Sequence, residues 1–152
     1  MIIKDNVKNW IEVQLETIGA TIKPSDKANS FTFVLNGETY TLHHRHKNEK
    51  GSLLCHLEPK DLEKMIDDSV ENTIPCLAFS IAYTNKDTEK KELFMFISTI
   101  DNIYYQAQNK YNTSIKLGEK TGNYIFKYGT VMEKFILDDS CDILTSRLVI
   151  SK

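Results

Sequence analysis

The chain has 152 residues, 41% of them hydrophobic and 26% charged, with a formal net charge of -2. That is enough chain for one domain with a real core, and the charge excludes a strongly basic nucleic-acid-coating protein while leaving room for a local basic groove. No apolar run approaches the ~20 residues that cross a bilayer, the opening MIIKDNVKNW lacks the order of a signal peptide, and the irregularly spaced Cys55, Cys76 and Cys141 fit reduced thiols, so a cytoplasmic, membrane-free protein is expected.

From Asp5 to Gly19 the pattern is helical. Val7, Trp10, Ile11, Leu15 and Ile18 recur at three- and four-residue steps, which makes one apolar stripe. Asp5 or Asn6 suits the cap and Gly19 the left-handed stop, while Glu12 and Glu16 flank the stripe. The polar segment from Ala20 to Asn29 reads as a loop. Ser30 to Leu35 reads as a strand, and Asn36-Gly37 is a strong hairpin signal because both residues tolerate positive φ.

The hairpin register follows. A two-residue turn pairs Leu35 with Glu38, Phe33 with Tyr40 and Phe31 with Leu42. Alternation then puts Phe31, Phe33, Leu42, His44 and His46 on one face, and Ser30, Thr32, Thr41, His43 and Arg45 on the other. All four histidines lie between Thr39 and His56. A second turn at Asn48-Glu49-Lys50-Gly51 would bring a third strand beside them. His44 would then face Cys55, His46 would face Leu53, and His43 would face His56.

A second helix is expected from Pro59 to about Asn72, with Leu62, Met65, Ile66 and Val70 inward. IPCLAFSIAY, from Ile74 to Tyr83, is nearly continuous in apolar residues, as in a strand covered on both faces. Thr84 to Lys91 is a charged turn and Glu92 to Ile97 another strand. Ser98 caps a third helix with Asp101 as its partner, and Ile103, Tyr104 and Ala107 ride on that helix. Short strands are expected at Ser114 to Leu117, Tyr124 to Tyr128, Val131 to Ile136 and Leu144 to Ile150.

The order helix, three-stranded meander, helix, strand, strand, helix resembles the Holliday-junction-resolvase-like branch of the PD-(D/E)XK nuclease superfamily. The residues that carry the likeness are Gly19-Ala20, TYTLHHRHK, Ser52, EPKDLEKM and Pro75-Cys76-Leu77-Ala78-Phe79. The resemblance implies a single α/β domain with a central mixed sheet flanked by helices. A restriction-endonuclease-like core would cover about residues 5–110 and a β extension about residues 111–152. In that family an acid pair holds a divalent metal that activates water, and a lysine steadies the phosphate. Here Thr32 stands near the Asp position, His44 at the Glu position and His46 at the Lys position. Glu12 or Glu16 alone could stand for the auxiliary acid of the first helix.

Three readings follow. The first is a nuclease fold without the standard metal site, needing no cofactor and acting by binding DNA or a protein partner, as an inhibitor or adaptor would. Arg45, Lys47 and Lys50 would meet phosphates, although solvated turn charges are as plain an account of the two lysines. The second is an active metal-dependent endonuclease in which His44, His46 and Glu12 hold a softer divalent ion. The third is a structural zinc site on His44, His46 and Cys55, without the usual paired ligand spacing. Tyr104 and Tyr105 could stack on bases or form a homodimer contact, but core packing of one and exposure of the other is the simpler account. The chain has no Gly-rich phosphate loop, Gly-x-Ser-x-Gly or His-Glu-x-x-His.

Overall fold

The computed structural model describes residues 4–23, 25, 27, 29–48, 54–84, 88–108, 115–118, 124–127 and 141–149. Its first element is the helix α1, Lys4–Thr17. Val7, Ile11 and Leu15, at four-residue steps, are completely buried. Trp10 is half-buried, and Ile18, beyond the helix end, is 39% exposed. Gly19 stops the helix at φ +97. Its N–H donates to the Glu16 carbonyl at 3.0 Å and that of Ala20 to the Leu15 carbonyl at 3.0 Å, so two terminal carbonyls are satisfied. The side chains of Asp5 and Asn6, the expected caps, lie outside the described residues.

Within the segment expected to be a loop, Thr21–Lys23 forms a strand, β1, antiparallel to β2, Ser30–Leu35. Three residues are too few to show alternation in a sequence; β1 is specified by its pairing with β2, where Ile22 lies opposite Phe33. The hairpin from β2 to β3, Glu38–Asn48, has the expected register: Leu35 opposite Glu38, Phe33 opposite Tyr40 and Phe31 opposite Leu42. Asn36 at φ 52 and Gly37 at φ 80 give the turn whose twist matches that of the strands.

The expected third strand of this meander is corrected. Leu54–Leu57, β4, pairs with β8, Tyr124–Lys127, which also pairs with β7, Ile115–Leu117, in a separate three-stranded sheet. The neighbour of β3 is β5, Ile74–Thr84, in parallel, with His44 beside Ala78 and His46 beside Ser80. The pairings His44–Cys55 and His43–His56 therefore do not form; Leu53 and residues 49–51 lie outside the described residues. Two-sided apolarity explains the exchange, since β5 must be covered on both faces and only a central position provides that. The antiparallel strands β6, Lys91–Thr99, and β9, Leu144–Val149, complete a mixed sheet of order β1-β2-β3-β5-β6-β9.

The helix α2, Pro59–Asp68, lies in the connection from β4 to β5, and α3, Ile100–Gln108, follows β6. On one face of the large sheet α1 buries Phe31, Phe33, Leu42, Ala78, Met95 and Ile97. On the other, Leu62 and Met65 of α2 and Ile100 and Ile103 of α3 bury Leu77, Phe79, Phe94 and Phe96. Each such aliphatic or aromatic side chain contributes about 1.5–3 kcal/mol of transfer free energy. The domain is thus an α/β fold with helices on both faces of a mixed sheet. None of its described helices is long and apolar enough to cross a membrane.

Smaller corrections have local causes. Ile66 is 39% and Val70 55% exposed, because α2 ends at Asp68 and only Leu62 and Met65 turn fully inward. The cap of α3 is Thr99, not Ser98, since β6 runs two residues further than expected, to Thr99. Thr99 Oγ1 accepts the Asn102 N–H at 3.2 Å, while Ser98 Oγ donates to Asp142 Oδ1 at 3.2 Å. Tyr104 packs on the core and Tyr105 is 67% exposed, as expected. The strand expected at Val131 to Ile136 lies outside the described residues.

Candidate functional site

His44 and His46 project toward α1 from alternate positions of β3 and converge on one hydroxyl of β5. His44 Nε2 is 2.9 Å from Ser80 Oγ, and His46 Nδ1 is 2.7 Å from the same atom. His46 Nε2 lies 3.2 Å from Asn48 Oδ1, an acceptor, and the neutral tautomer that satisfies this contact carries its proton on Nε2. Its Nδ1 then accepts from Ser80 Oγ–H, and Ser80 accepts from His44 Nε2–H. Ser80 is completely buried and His44 is 3% exposed, so this chain runs from the interior to the surface at Asn48.

Other members of the expected sets lie elsewhere. Among the described residues no three of His, Cys, Asp and Glu come together as a metal-holding group, so Glu12, Glu16 and Glu38 do not close on His44 and His46. Cys55 is on β4 in the second sheet, and its side chain lies outside the described residues. Thr32 pairs with Thr41, on the face opposite His44 and His46. The three positions likened to the nuclease motif thus do not share one face of the sheet.

The face bearing Thr32 carries a cleft of about 460 Å³ between β3 and α2. β3 contributes His43 and Arg45, and α2 contributes Lys64, Met65 and Asp68. Lys27, Asn29 and Ser30, leading into β2, close the third side. A smaller hollow of about 160 Å³ shares Lys27, Ser30 and Asp68 and continues the groove to Thr32 and Val70. Among the described residues Arg45 therefore meets two further cations, with one carboxylate beside them. Lys47 has the same parity as Arg45 and is half-buried; Lys50 lies outside the described residues.

His43, in this cleft, is 6% exposed. Its Nε2 is 2.8 Å from Ser69 Oγ, and Ser69 donates its one proton to the Met65 carbonyl at 2.7 Å. Ser69 must therefore accept from His43 Nε2–H, which leaves Nδ1 as the acceptor of the neutral ring. Burial is the main cause that lowers the His43 pKa; the Arg45 charge adds to it and Asp68 opposes it. Asn29 is fixed from the other side, because its carbonyl accepts the His44 N–H at 2.9 Å.

Sequence reasoning found Arg45 but missed Lys27, Asn29, Lys64 and Asp68. The available signals were the parity of His43 and Arg45 and the one-turn spacing of Lys64 and Asp68. What the sequence did not give was the position of α2 over that face, which follows from the parallel pairing of β3 and β5. It also missed buried Glu92, 3% exposed, which accepts the Tyr83 hydroxyl at 3.0 Å and has Arg147 Nε at 3.7 Å. Compared with known proteins, the chain matches no family model, no curated protein and no solved structure.

Proposed function

We propose that this domain acts by binding rather than by metal-dependent hydrolysis, and that its basic cleft receives the phosphates of nucleic acid. The observation that carries the reading is the meeting of Arg45, Lys27 and Lys64 around one groove. The resemblance to resolvase-like nucleases supports it, as does an α/β architecture with helices on both faces of a mixed sheet. The altered motif supports the absence of hydrolysis. His44 Nε2 and both nitrogens of His46 are engaged by Ser80 and Asn48, and no carboxylate completes a ligand set with them among the described residues. That donor set does not fit a hard divalent cation, which prefers carboxylate oxygen.

The test is binding and cleavage of single-stranded, duplex and branched DNA. Three phosphate contacts on a single strand give a slope of about -2 for log K against log salt. Arg45→Ala should weaken binding to all sequences alike and reduce the slope by about 0.7 on a single strand. No cleavage is expected with Mg²⁺ or Mn²⁺. Cleavage that disappears in both His44→Ala and His46→Ala would make the histidines catalytic and overturn the reading. Absence of DNA binding would overturn it too, and leave a protein partner as the occupant of this face.

A further inference from the structure

We infer that the cleft between β3 and α2 is a nucleotide pocket, built for a nucleoside monophosphate rather than for a phosphodiester passing along a surface. This rests on the proposed reading of the cleft as a phosphate-binding site and sharpens it. The ligand is either the phosphorylated terminal nucleotide of a strand or a free mononucleotide, since both present the same chemistry.

Charge is the first argument. Among the described residues that line the cleft, Lys27, Arg45 and Lys64 are opposed by Asp68 alone. A phosphodiester carries one negative charge, whereas a phosphomonoester carries about -1.5 to -2 at neutral pH. Three cations against one carboxylate match the second better. Arg45 supplies a planar fork for two phosphate oxygens, and the lysines supply mobile point charges.

Size and polarity are the second. A volume of about 460 Å³ falls in the range of small-ligand pockets and is too small for a duplex. A site for phosphate alone would need donors only, yet this one also offers acceptors. Asp68 can accept from a sugar hydroxyl. His43, with Nε2–H given to Ser69, keeps Nδ1 as an acceptor. Asn29 Oδ1 is buried and meets no hydrogen-bond donor among the described residues. Leaving such an acceptor unsatisfied costs free energy. A ligand N–H that turns the amide toward the cleft would recover that energy, and the amino group of a base is such a donor. Donors and acceptors together describe a nucleotide.

The experiment titrates the full chain with adenosine 5′-monophosphate, adenosine and inorganic phosphate, and then with one single-stranded oligonucleotide carrying either a 5′-phosphate or a 5′-hydroxyl. The monophosphate should bind at least about tenfold more tightly than either fragment, in line with one charge-assisted contact. Lys64→Glu changes an exposed side chain and should abolish this binding without unfolding the protein. Asn29→Ala removes a buried acceptor that has no donor, so the melting temperature should hold or rise while nucleotide affinity falls several-fold. A merely structural Asn29 would lower the melting temperature and leave affinity unchanged, which counts against the inference. Preference for the 5′-phosphorylated oligonucleotide identifies a strand end as the source. Binding of the mononucleotide but of neither oligonucleotide identifies a free nucleotide and removes the nucleic-acid reading. Equal affinity for inorganic phosphate and the monophosphate overturns the nucleotide pocket. Oligonucleotide binding that ignores the terminal phosphate, with no mononucleotide binding, overturns it while leaving the nucleic-acid reading in place. Binding of none of these ligands removes both.

Discussion

His43 Nε2 stands 2.8 Å from Ser69 Oγ, and this contact ties the middle of β3 to the end of α2. The ring is buried beside Arg45, and its pKa lies below the ordinary value of about 6.5. The unfolded chain therefore binds more protons than the folded one between the folded pKa and about 6.5. Stability from this group is fully present above about pH 6.5 and is lost as pH falls toward the folded pKa. His43→Gln should flatten the difference in unfolding free energy between about pH 7.5 and 5.5. Urea titrations that give parallel pH profiles for the two proteins would refute this.

On α1 the distribution of burial ranks two substitutions. Ile11 is 0% exposed and Trp10 only half-buried. Ile11→Ala should destabilise by about 2–5 kcal/mol, because it removes buried methylenes and leaves a cavity. Trp10→Ala should cost less despite the larger side chain, since part of the indole already meets water. Denaturant midpoints in the reverse order would mean that α1 packs by a different face.

The fold was legible where local chemistry decides and obscure where long-range pairing decides. Asn36-Gly37 dictates a turn with two positive φ values, and from it came every pair of the β2–β3 ladder. The nearly continuous apolarity of IPCLAFSIAY announced a strand covered twice. Neither signal says which strand lies beside β3, and that neighbour is what sets the candidate site. Placing β4 there gave His44 a cysteine; placing β5 there gives it Ser80. The same choice lays α2 across His43 and Arg45 and makes a cleft where the sequence showed only a turn with charges. In sequence Ser80 is no more than a polar interruption of an apolar strand, because its histidines lie 34 and 36 positions away.

Ser80 gives a direct test of the two histidines as structural ties. One completely buried hydroxyl serves two imidazole nitrogens. Ser80→Ala changes volume little but removes a donor and an acceptor, leaving His44 Nε2–H to find another partner. The expected loss is about 1–3 kcal/mol. His46→Gln, at the wetter end of the chain, should cost less. A Ser80→Ala protein with an unchanged urea midpoint would show that the contacts add nothing to stability.

At the other end of the sheet, Glu92 and Tyr83 make a prediction at high pH. They face each other across β5 and β6, and the Tyr83 hydroxyl donates to Glu92 Oε1 at 3.0 Å. Burial is the largest cause that raises the Tyr83 pKa, followed by the hydrogen bond and then the charge of Glu92; Arg147 opposes them. An unfolded tyrosine ionises near pH 10. Between that value and the higher folded one, the folded protein holds a proton that the unfolded chain has lost. Stability from Tyr83 is therefore complete below about pH 10 and declines as pH rises through the folded pKa. Tyr83→Phe should show less alkaline loss, but it should be less stable at pH 7 by about 1–3 kcal/mol, because buried Glu92 loses a donor. Arg147 is half exposed, so its attraction to Glu92 is screened and cannot replace that donor. The measurement is denaturant unfolding of both proteins at neutral pH and near pH 10.5. Equal stability at neutral pH would mean that Glu92 does not depend on Tyr83, and an equal alkaline loss would place the responsible ionisation elsewhere.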